Sequence, residues 1–149
     1  MDFLKIFKTI PIIVLFAHLA FADSAKLLQL DASQEFKMDS EKKQKIFYFW
    51  ATWCPDCKEK FKSDLSKYDQ NGRQLVTIPT DKDLQKIRDY VVKNNLKWPV
   101  AFDGEKFFQK QFKVFGVPTV VLAKLEDEKW IIEKTISGAD WSELDKMLR

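Results

Sequence analysis

The sequence predicts an α/β sandwich with a mixed central β-sheet, and three observations carry this prediction. Apolar runs rich in aromatic and β-branched residues alternate with segments whose apolar residues recur at helical spacing. The first run, KIFYFWA (residues 45–51), is continuous rather than alternating, which is typical of a central strand buried on both faces. Two late runs are joined by the acidic turn EDE, which predicts an antiparallel hairpin. The order β-α-β-α-extended-α-β-β-α therefore indicates one layered domain with parallel and antiparallel strand pairs.

The N-terminal elements are a hairpin, the central strand and a helix. Residues 26–39 form two short alternating runs around a polar middle, which predicts an irregular hairpin. After the central strand, Pro55 suits the first position of a helix. Apolar residues then recur at helical spacing, at Phe61, Leu65 and Tyr68. We therefore predict a helix over residues 55–68, ended by the turn NGR.

The middle of the chain predicts a second strand and helix. QLVTIP (residues 74–79) is the strand. The next segment places Leu84, Ile87 and Val91 on one helical face, with Asp81 or Asp83 as the helix cap.

The C-terminal part predicts a short extended piece, WPVAFD, and then a helix over residues 104–116. That helix would align Phe108, Phe112 and Phe115 and stop at Gly116. PTVVLAKL and KWIIEKTI are the hairpin strands, and ADWSELDKML is a closing helix capped near Asp140.

Composition supports a globular domain rather than a nucleic-acid-binding one. The chain has 149 residues, of which 46% are apolar and 14% aromatic, so it can fill a core. The formal charge of +3 comes from mixed signs along the sequence, without a strong basic cluster. We therefore expect no nucleic-acid partner.

The N-terminus predicts a cleavable signal peptide over residues 1–22. Lys5 and Lys8 precede a short apolar run, and Ala20 and Ala22 fit the small-x-small cleavage rule. The apolar run is too short to span a bilayer as a helix, although an uncleaved N-terminal anchor is the alternative. We expect a mature domain of residues 23–149 in the periplasm, which would contain no histidine because His18 lies in the signal.

Cys54 and Cys57 are the only cysteines, in the segment FYFWATWCPDCKEKF. Without another cysteine or a histidine, the mature chain cannot complete a four-ligand zinc site. Covalent haem attachment needs a histidine after the second cysteine, but Lys58 is there. A structural disulfide closing so short a loop would stabilise the fold by only about 2 kcal/mol. Dithiol–disulfide redox chemistry is the favoured interpretation, with no metal and no other cofactor.

The position of the pair predicts different roles for its two members. Cys54 lies at the predicted helix N-terminus, where unpaired N–H groups and the helix dipole favour the thiolate. Cys57, one turn inside, should be more buried and resolve the mixed disulfide that Cys54 forms. Asp56 between them should disfavour the thiolate, although an ordinary first-turn helix residue is the favoured interpretation.

FYFWATWCPDCKEKF resembles the active-site segment of the thioredoxin superfamily, in particular its exported TlpA/ResA-like thiol-disulfide reductases. FGVPT (residues 115–119) matches the second signature of that family, a cis-proline loop facing the cysteines. WPVAFDGEKFFQKQFKVF resembles the βα insertion before the cis-proline strand in the TlpA branch. The resemblance implies a thioredoxin-like three-layer sandwich and runs from about residue 45 to the C-terminus.

The resemblance also implies roles for particular residues. Cys54 would be the nucleophile, Cys57 the resolving thiol and Pro118 the cis-proline. The substrate-contacting surface would consist of Trp53, Pro55 and the backbone of Val117. For Pro118 the alternative is an ordinary trans proline that starts an edge strand, and for Trp53 it is core packing.

Two departures from the family pattern concern the cysteines' surroundings. Many members have proline immediately before the second cysteine, where this chain has Asp56. Classical thioredoxins carry a buried acid at the position of Tyr48. ResA-like members use a carboxylate after the next strand, so we predict Asp81 as proton acceptor for Cys57, with Asp83 or plain helix capping as alternatives.

The resulting prediction is a thiol-disulfide oxidoreductase that reduces protein disulfides. The family implies apocytochrome c as a possible substrate and a membrane thiol-electron donor of the DsbD/CcdA type, and we expect a monomer.

A disulfide oxidant or isomerase is the first alternative, although DsbA-type oxidants insert a helical domain that this chain has little room for. A thiol peroxidase would need T-x-x-C, whereas Thr52 gives T-x-C. A Cu(I) carrier that uses both thiols is the non-enzyme alternative.

Overall fold

The computed structural model describes Leu28–Gln29 and residues 37–149, and its elements follow the predicted order. The strands are β1 (Leu28–Gln29), β2 (Gln44–Trp50), β3 (Arg73–Pro79), β4 (Ala101–Phe102), β5 (Thr119–Glu126) and β6 (Lys129–Ser137). The helices are α1 (Pro55–Lys62), α2 (Leu84–Lys93), α3 (Phe107–Gln111) and α4 (Ser142–Met147), with a 3-10 turn at Ser66–Tyr68. Within these described residues, no helix has the length and apolar character needed to cross a membrane. The predicted signal peptide lies outside them.

The central sheet has four strands in the order β3-β2-β5-β6, which confirms the mixed sheet. β2 runs parallel to β3 and antiparallel to β5, and β6 pairs antiparallel with β5. The β5–β6 turn places Asp127 and Glu128 at φ values of 47° and 63°. Both residues are thus left-handed, as a two-residue type I′ hairpin turn requires.

β2 is the centre of the core because both of its faces are covered. Ile46, Tyr48 and Trp50 pack in one cluster with residues that include Leu65, Ile87, Trp141 and Leu144. Phe47 and Phe49 pack on the opposite face with Phe108, Phe112 and Val114. Residues 45–50 are all buried, which confirms the interpretation of KIFYFWA as a strand without an exposed face.

The helix after the cysteines is shorter than predicted. It begins at Pro55 as expected but ends at Lys62, and only the 3-10 turn continues towards Tyr68. Local side-chain bonds compete with the helix here. The Ser63 hydroxyl donates to the Lys60 carbonyl, and the Asp64 carboxylate accepts the N–H of Ser66. Leu65 and Tyr68 are nevertheless buried, as their spacing indicated.

The helix predicted over residues 104–116 is also wrong at both ends. α3 covers five residues and is closed by Lys113 in the left-handed region, at φ 53°. Lys113 donates its N–H to the Lys110 carbonyl and Val114 to the Gln109 carbonyl, which is the Schellman pattern. The chain therefore turns before Gly116. As a result Phe115 does not align with the other phenylalanines, and it is 93% exposed.

The two ends of the described chain add smaller differences. Leu28–Gln29 pairs antiparallel with Ala101–Phe102, and the remaining residues of the predicted hairpin up to residue 36 lie outside the described part. The closing helix has Trp141 at its N-cap position, and the preceding Asp140 accepts the N–H of Ser142. β4 and α3 together form the βα segment expected before the cis-proline strand.

Candidate active site

Strand register brings three loops to one edge of the sheet. Trp50, the last residue of β2, pairs with Pro79, the last residue of β3. Because β5 runs the other way, its first residue, Thr119, pairs with Phe49. The segments that follow β2 and β3 and the segment that precedes β5 therefore meet at the same edge. These segments carry the cysteines, Asp81 and Pro118.

The two cysteines form a disulfide at the start of α1. The sulfurs are 2.03 Å apart and the Cα atoms 5.3 Å apart. Cys54 is the N-cap residue of α1, and its sulfur accepts the N–H of Cys57 at 3.1 Å. The Cys54 sulfur thus lies where unpaired N–H groups and the positive end of the helix dipole would stabilise a thiolate.

The two cysteines differ in exposure in the predicted direction. Cys57 has no exposed surface, whereas Cys54 keeps 4%. The exposed part of Cys54 is small, so a partner has to approach closely along the surface around it. Pro55 and Asp56, which follow Cys54, are both exposed.

Two exposed aromatic side chains and an unpaired backbone segment lie in the loops that carry the cysteines and the cis-proline. Trp53 is 66% exposed and Phe115 is 93% exposed. The peptide bond between Val117 and Pro118 is cis. Within the described part of the chain, neither the N–H nor the C=O of Val117 makes a hydrogen bond. A substrate backbone could therefore pair with Val117 as a short strand.

Phe115 is the site residue that the sequence interpretation missed. Its spacing from Phe108 and Phe112 suggested a core face, and only the early turn at Lys113 takes it to the surface. The loop after it is anchored by the Thr119 hydroxyl, which donates to the Gly116 carbonyl at 2.8 Å. The N–H of Gly138 donates to the Pro118 carbonyl, also at 2.8 Å.

The structure separates the roles of the two aspartates after β3. Asp83 caps α2, because its carboxylate accepts the N–H groups of Gln85 and Lys86 at 2.9 and 3.2 Å. Asp81 does not cap the helix. Its two oxygens accept the N–H and the hydroxyl of Thr52 at 2.8 and 2.7 Å, in the loop that leads to Cys54. Its side chain is only 5% exposed.

Tyr48 lies beneath the disulfide, fully buried in the core. Its hydroxyl donates to the Cys57 carbonyl at 3.3 Å, and its ring packs against Phe61 and Trp141. Burial raises the pKa of Tyr48 well above its usual range, and the charges of Tyr90 and Asp56 add to the effect. The hydroxyl therefore stays protonated and supplies a hydrogen bond, not a base, where classical thioredoxins have an acid.

A buried strand leading to a helix-capping cysteine, an internal disulfide and a facing cis-proline loop define a thioredoxin-fold thiol-disulfide oxidoreductase of the TlpA/ResA-like kind. The chain belongs to the Redoxin family, whose model matches residues 20–144.

Relatives of known name agree with this class. Sporulation thiol-disulfide oxidoreductase A of Bacillus subtilis is 26% identical over 118 residues, which cover 75% of this chain and 70% of that protein. Thiol-disulfide oxidoreductase ResA of Oceanobacillus iheyensis is 26% identical over an alignment of 159 positions, which covers 90% of this chain and 81% of the relative.

Solved structures agree on the fold. The crystal structure of StoA from Bacillus subtilis superposes with a TM-score of 0.65 at 25% identity, over 83% of this chain and 93% of that chain. The solution structure of a putative thiol-disulfide oxidoreductase from Bacteroides vulgatus superposes with a TM-score of 0.66 at 23% identity, over 84% of each chain. These comparisons confirm the predicted three-layer fold.

Proposed function

We propose that this protein reduces disulfide bonds in other proteins. The observation that carries the proposal is the placement of the Cys54 sulfur, at the N-terminus of α1 and on the edge where the unpaired backbone of Val117 lies. The N-terminus of α1 stabilises a thiolate at Cys54, and the backbone of Val117 can pair with an extended substrate chain beside it.

The reaction starts from the reduced dithiol. The Cys54 thiolate attacks one sulfur of the substrate disulfide, which forms a mixed disulfide and releases the other substrate sulfur as a thiolate. The Cys57 thiol then loses its proton and attacks the Cys54 sulfur. This second exchange expels the remaining substrate sulfur, so two electrons and two protons pass to the substrate while the Cys54–Cys57 disulfide forms. A dithiol donor must reduce that disulfide before the next cycle.

In this scheme, residues of the loops that carry Cys54 and Pro118 contact the substrate. Val117 offers one N–H and one C=O for pairing with a substrate strand, and Pro118 shapes the loop that presents them. Trp53, Pro55 and Phe115 supply exposed apolar surface on the two loops that carry Cys54 and Pro118. An extended segment on either side of a substrate disulfide can therefore be held before exchange begins.

The resemblance predicts that Asp81 accepts the proton of Cys57, and the alternative is that it positions the loop that leads to Cys54. Both of its oxygens already accept hydrogen bonds from Thr52, and Lys86 lies 3.5 Å from one of them. These contacts also support a positioning role for Asp81. Proton transfer and positioning predict different effects on activity when the charge of Asp81 is removed.

The charge near the cysteines and the topology of the chain both bear on the direction of the reaction. Asp56 is exposed in the first turn of α1, where its charge opposes the thiolate and so stabilises the disulfide form. Between α1 and Pro118 the chain holds a 3-10 turn, two strands and two short helices, with no inserted helical domain. Both features favour a reductant over a strong oxidant.

Export and partners complete the proposal. The segment MDFLKIFK, its apolar continuation and Ala20 and Ala22 support a cleavable signal and a periplasmic location, with an uncleaved anchor as the alternative. In that compartment a membrane donor of the DsbD/CcdA type would supply electrons, and apocytochrome c is a candidate substrate. N-terminal sequencing of the exported protein should begin at Asp23, and a start at Met1 would contradict cleavage.

The reduction potential tests the proposed direction. We expect a value near that of thioredoxin, about −270 mV, together with faster reduction of insulin by dithiothreitol when the protein is added. A value near that of DsbA, about −120 mV, would instead identify an oxidant. Absence of insulin reduction combined with stoichiometric Cu(I) binding would favour the carrier function. Cys54→Ser, which removes the nucleophile, is the control for uncatalysed reduction.

A further inference from the structure

The residues ahead of the disulfide form a tight turn. The Cys54 N–H donates to the Ala51 carbonyl at 3.1 Å, so Thr52 and Trp53 are the two central residues of this turn. Trp53 is mostly exposed, so its own side chain does little to anchor the turn. The conformation of Trp53 and Cys54 depends on what holds Thr52.

One buried carboxylate accepts hydrogen bonds from both donors of Thr52, its N–H and its hydroxyl. Asp81 accepts the Thr52 backbone N–H with one oxygen and the Thr52 hydroxyl with the other. Hydrogen bonds to an ionised acceptor are stronger than neutral ones, and two of them from one residue also fix its orientation. The parallel pairing of Trp50 with Pro79 places the two segments side by side, and the Thr80 N–H donates to the Trp50 carbonyl at 2.8 Å.

Two side chains of α2 interact with Asp81. Lys86 of α2 places its ammonium nitrogen 3.5 Å from one Asp81 oxygen. Burial raises the pKa of Tyr90 on the same helix, and the Asp81 charge raises it further. Lys82 and Asp83, the next two residues, are exposed, and Asp83 is occupied in capping α2.

We propose that Asp81 and Thr52 are positioning residues, and that their paired hydrogen bonds hold the 51–54 turn so that Trp53 and the Cys54 sulfur face a protein substrate together. The inference rests on the proposed function, because it assigns to the reductase site the contact that sets its substrate-binding geometry. It concerns the backbone of Thr52 and therefore differs from a proton transfer to Cys57.

Variants of the full-length chain separate positioning from proton transfer. Asp81→Asn keeps both contacts, since the amide oxygen can accept the Thr52 N–H and the amide nitrogen can donate to the hydroxyl oxygen, but it removes the charge. Asp81→Ala removes both contacts. We expect Asp81→Ala to raise the KM for insulin about tenfold, the usual effect of losing a hydrogen bond to a charged group. Asp81→Asn keeps both contacts as weaker neutral hydrogen bonds, so its KM should rise by no more than about threefold.

Changes at Thr52 provide the reciprocal test. Thr52→Val removes the hydroxyl but keeps the N–H, so we expect the KM for insulin to rise about threefold. Thr52→Ser keeps a hydroxyl and should have the wild-type KM. Asp83→Asn is the matched control, because it removes a nearby exposed charge at a position where asparagine caps helices equally well. The pH profile of kcat should be the same for all of these variants.

Three results would overturn the positioning role. Asp81→Asn could impair turnover as much as Asp81→Ala and shift the pH profile of kcat, which is the signature of proton transfer. The KM could stay unchanged in Asp81→Ala, or Thr52→Ser could fail to rescue.

Amide hydrogen exchange at Thr52 supplies a readout that does not depend on activity. Protection of this N–H should be lost in Asp81→Ala and kept in Asp81→Asn. If Asp81→Ala does not fold, the two Thr52 variants carry the test. A wild-type protein that does not reduce insulin would refute the proposed function, and Thr52 protection would still confirm or refute the paired hydrogen bonds.

Discussion

At the scale of single residues, Phe115 is the side chain whose exposure demands an explanation. A phenylalanine that is 93% exposed gains nothing from the core, and this one lies two positions before Val117 in the loop opposite the cysteines. Large exposed aromatic groups are typical of surfaces that bind other proteins. The proposed substrate-binding surface therefore includes Phe115 and Trp53.

We predict that Phe115→Ala lowers kcat/KM for insulin about tenfold, because truncating a contacting aromatic residue at an interface usually costs more than about 1 kcal/mol. The rate with a small aromatic disulfide should not change, since such a molecule reaches Cys54 without using the loop. Stability should stay within about 0.5 kcal/mol, as is usual for an exposed side chain.

Leu125→Ala is the matched control for this prediction. Leu125 is also an exposed apolar residue, 51% exposed, but it lies at the far end of β5 near the hairpin turn. It should leave both rates unchanged. Equal losses with insulin and with the small disulfide in Phe115→Ala would mean that Phe115 supports the site and does not bind the substrate.

The residues of the site differ in how well the sequence predicted them. Cys54 and Cys57 were predictable because two cysteines at a strand–helix junction leave few other chemistries. Asp81 was predicted through the resemblance as a proton acceptor, and that role stays a prediction. Its contact with Thr52 depends on the register of two parallel strands, which spacing along one chain does not report. Phe115 was missed because helical spacing cannot reveal a turn that depends on Lys113 adopting the left-handed conformation.

At the scale of elements, strand order was predicted correctly and helix ends were not. A continuous apolar run and a two-residue turn are strong signals, because they depend on burial and on local backbone geometry. The end of α1 is decided instead by side-chain bonds of Ser63 and Asp64, which compete with helix continuation over a single turn. Such local competition leaves the pattern of buried residues intact while it shortens the helix.

The ends of β2, β3 and β5 explain why a site forms here at all. Because β2 pairs parallel with β3 and antiparallel with β5, the ends of β2 and β3 and the start of β5 lie at the same edge of the sheet. The loops at this edge can then carry exposed residues, because the ends of β2 and β3 beneath them are buried. This division between a rigid sheet and functional loops is common in enzymes.

At the scale of the whole molecule, the C-terminal helix supports the site from below. Trp141 packs edge-on against Tyr48 and Tyr68, and the ammonium group of Lys60 lies 4.4 Å from its ring centroid. Asp145 accepts the Tyr68 hydroxyl at 2.8 Å. The last elements of the chain are therefore joined to the helix that carries the cysteines and to the tyrosine beneath them.

The same arrangement predicts that the fold depends little on the disulfide. The core on both faces of β2 does not involve a long-range covalent bond, and the Cys54–Cys57 bond closes a loop with a sequence separation of 3. A bond of that kind can open and close without dismantling the sheet, which is what a catalytic disulfide must do.

The most direct test of this account is capture of a substrate by Cys57→Ser. Without the resolving thiol, the Cys54 thiolate should form a mixed disulfide with insulin that persists, that mass spectrometry maps to residue 54 and that dithiothreitol reverses. The matched variant Cys54→Ser should form no such adduct. Equal capture by both variants, or capture by neither, would contradict a mechanism in which the helix N-terminus activates the Cys54 sulfur for attack.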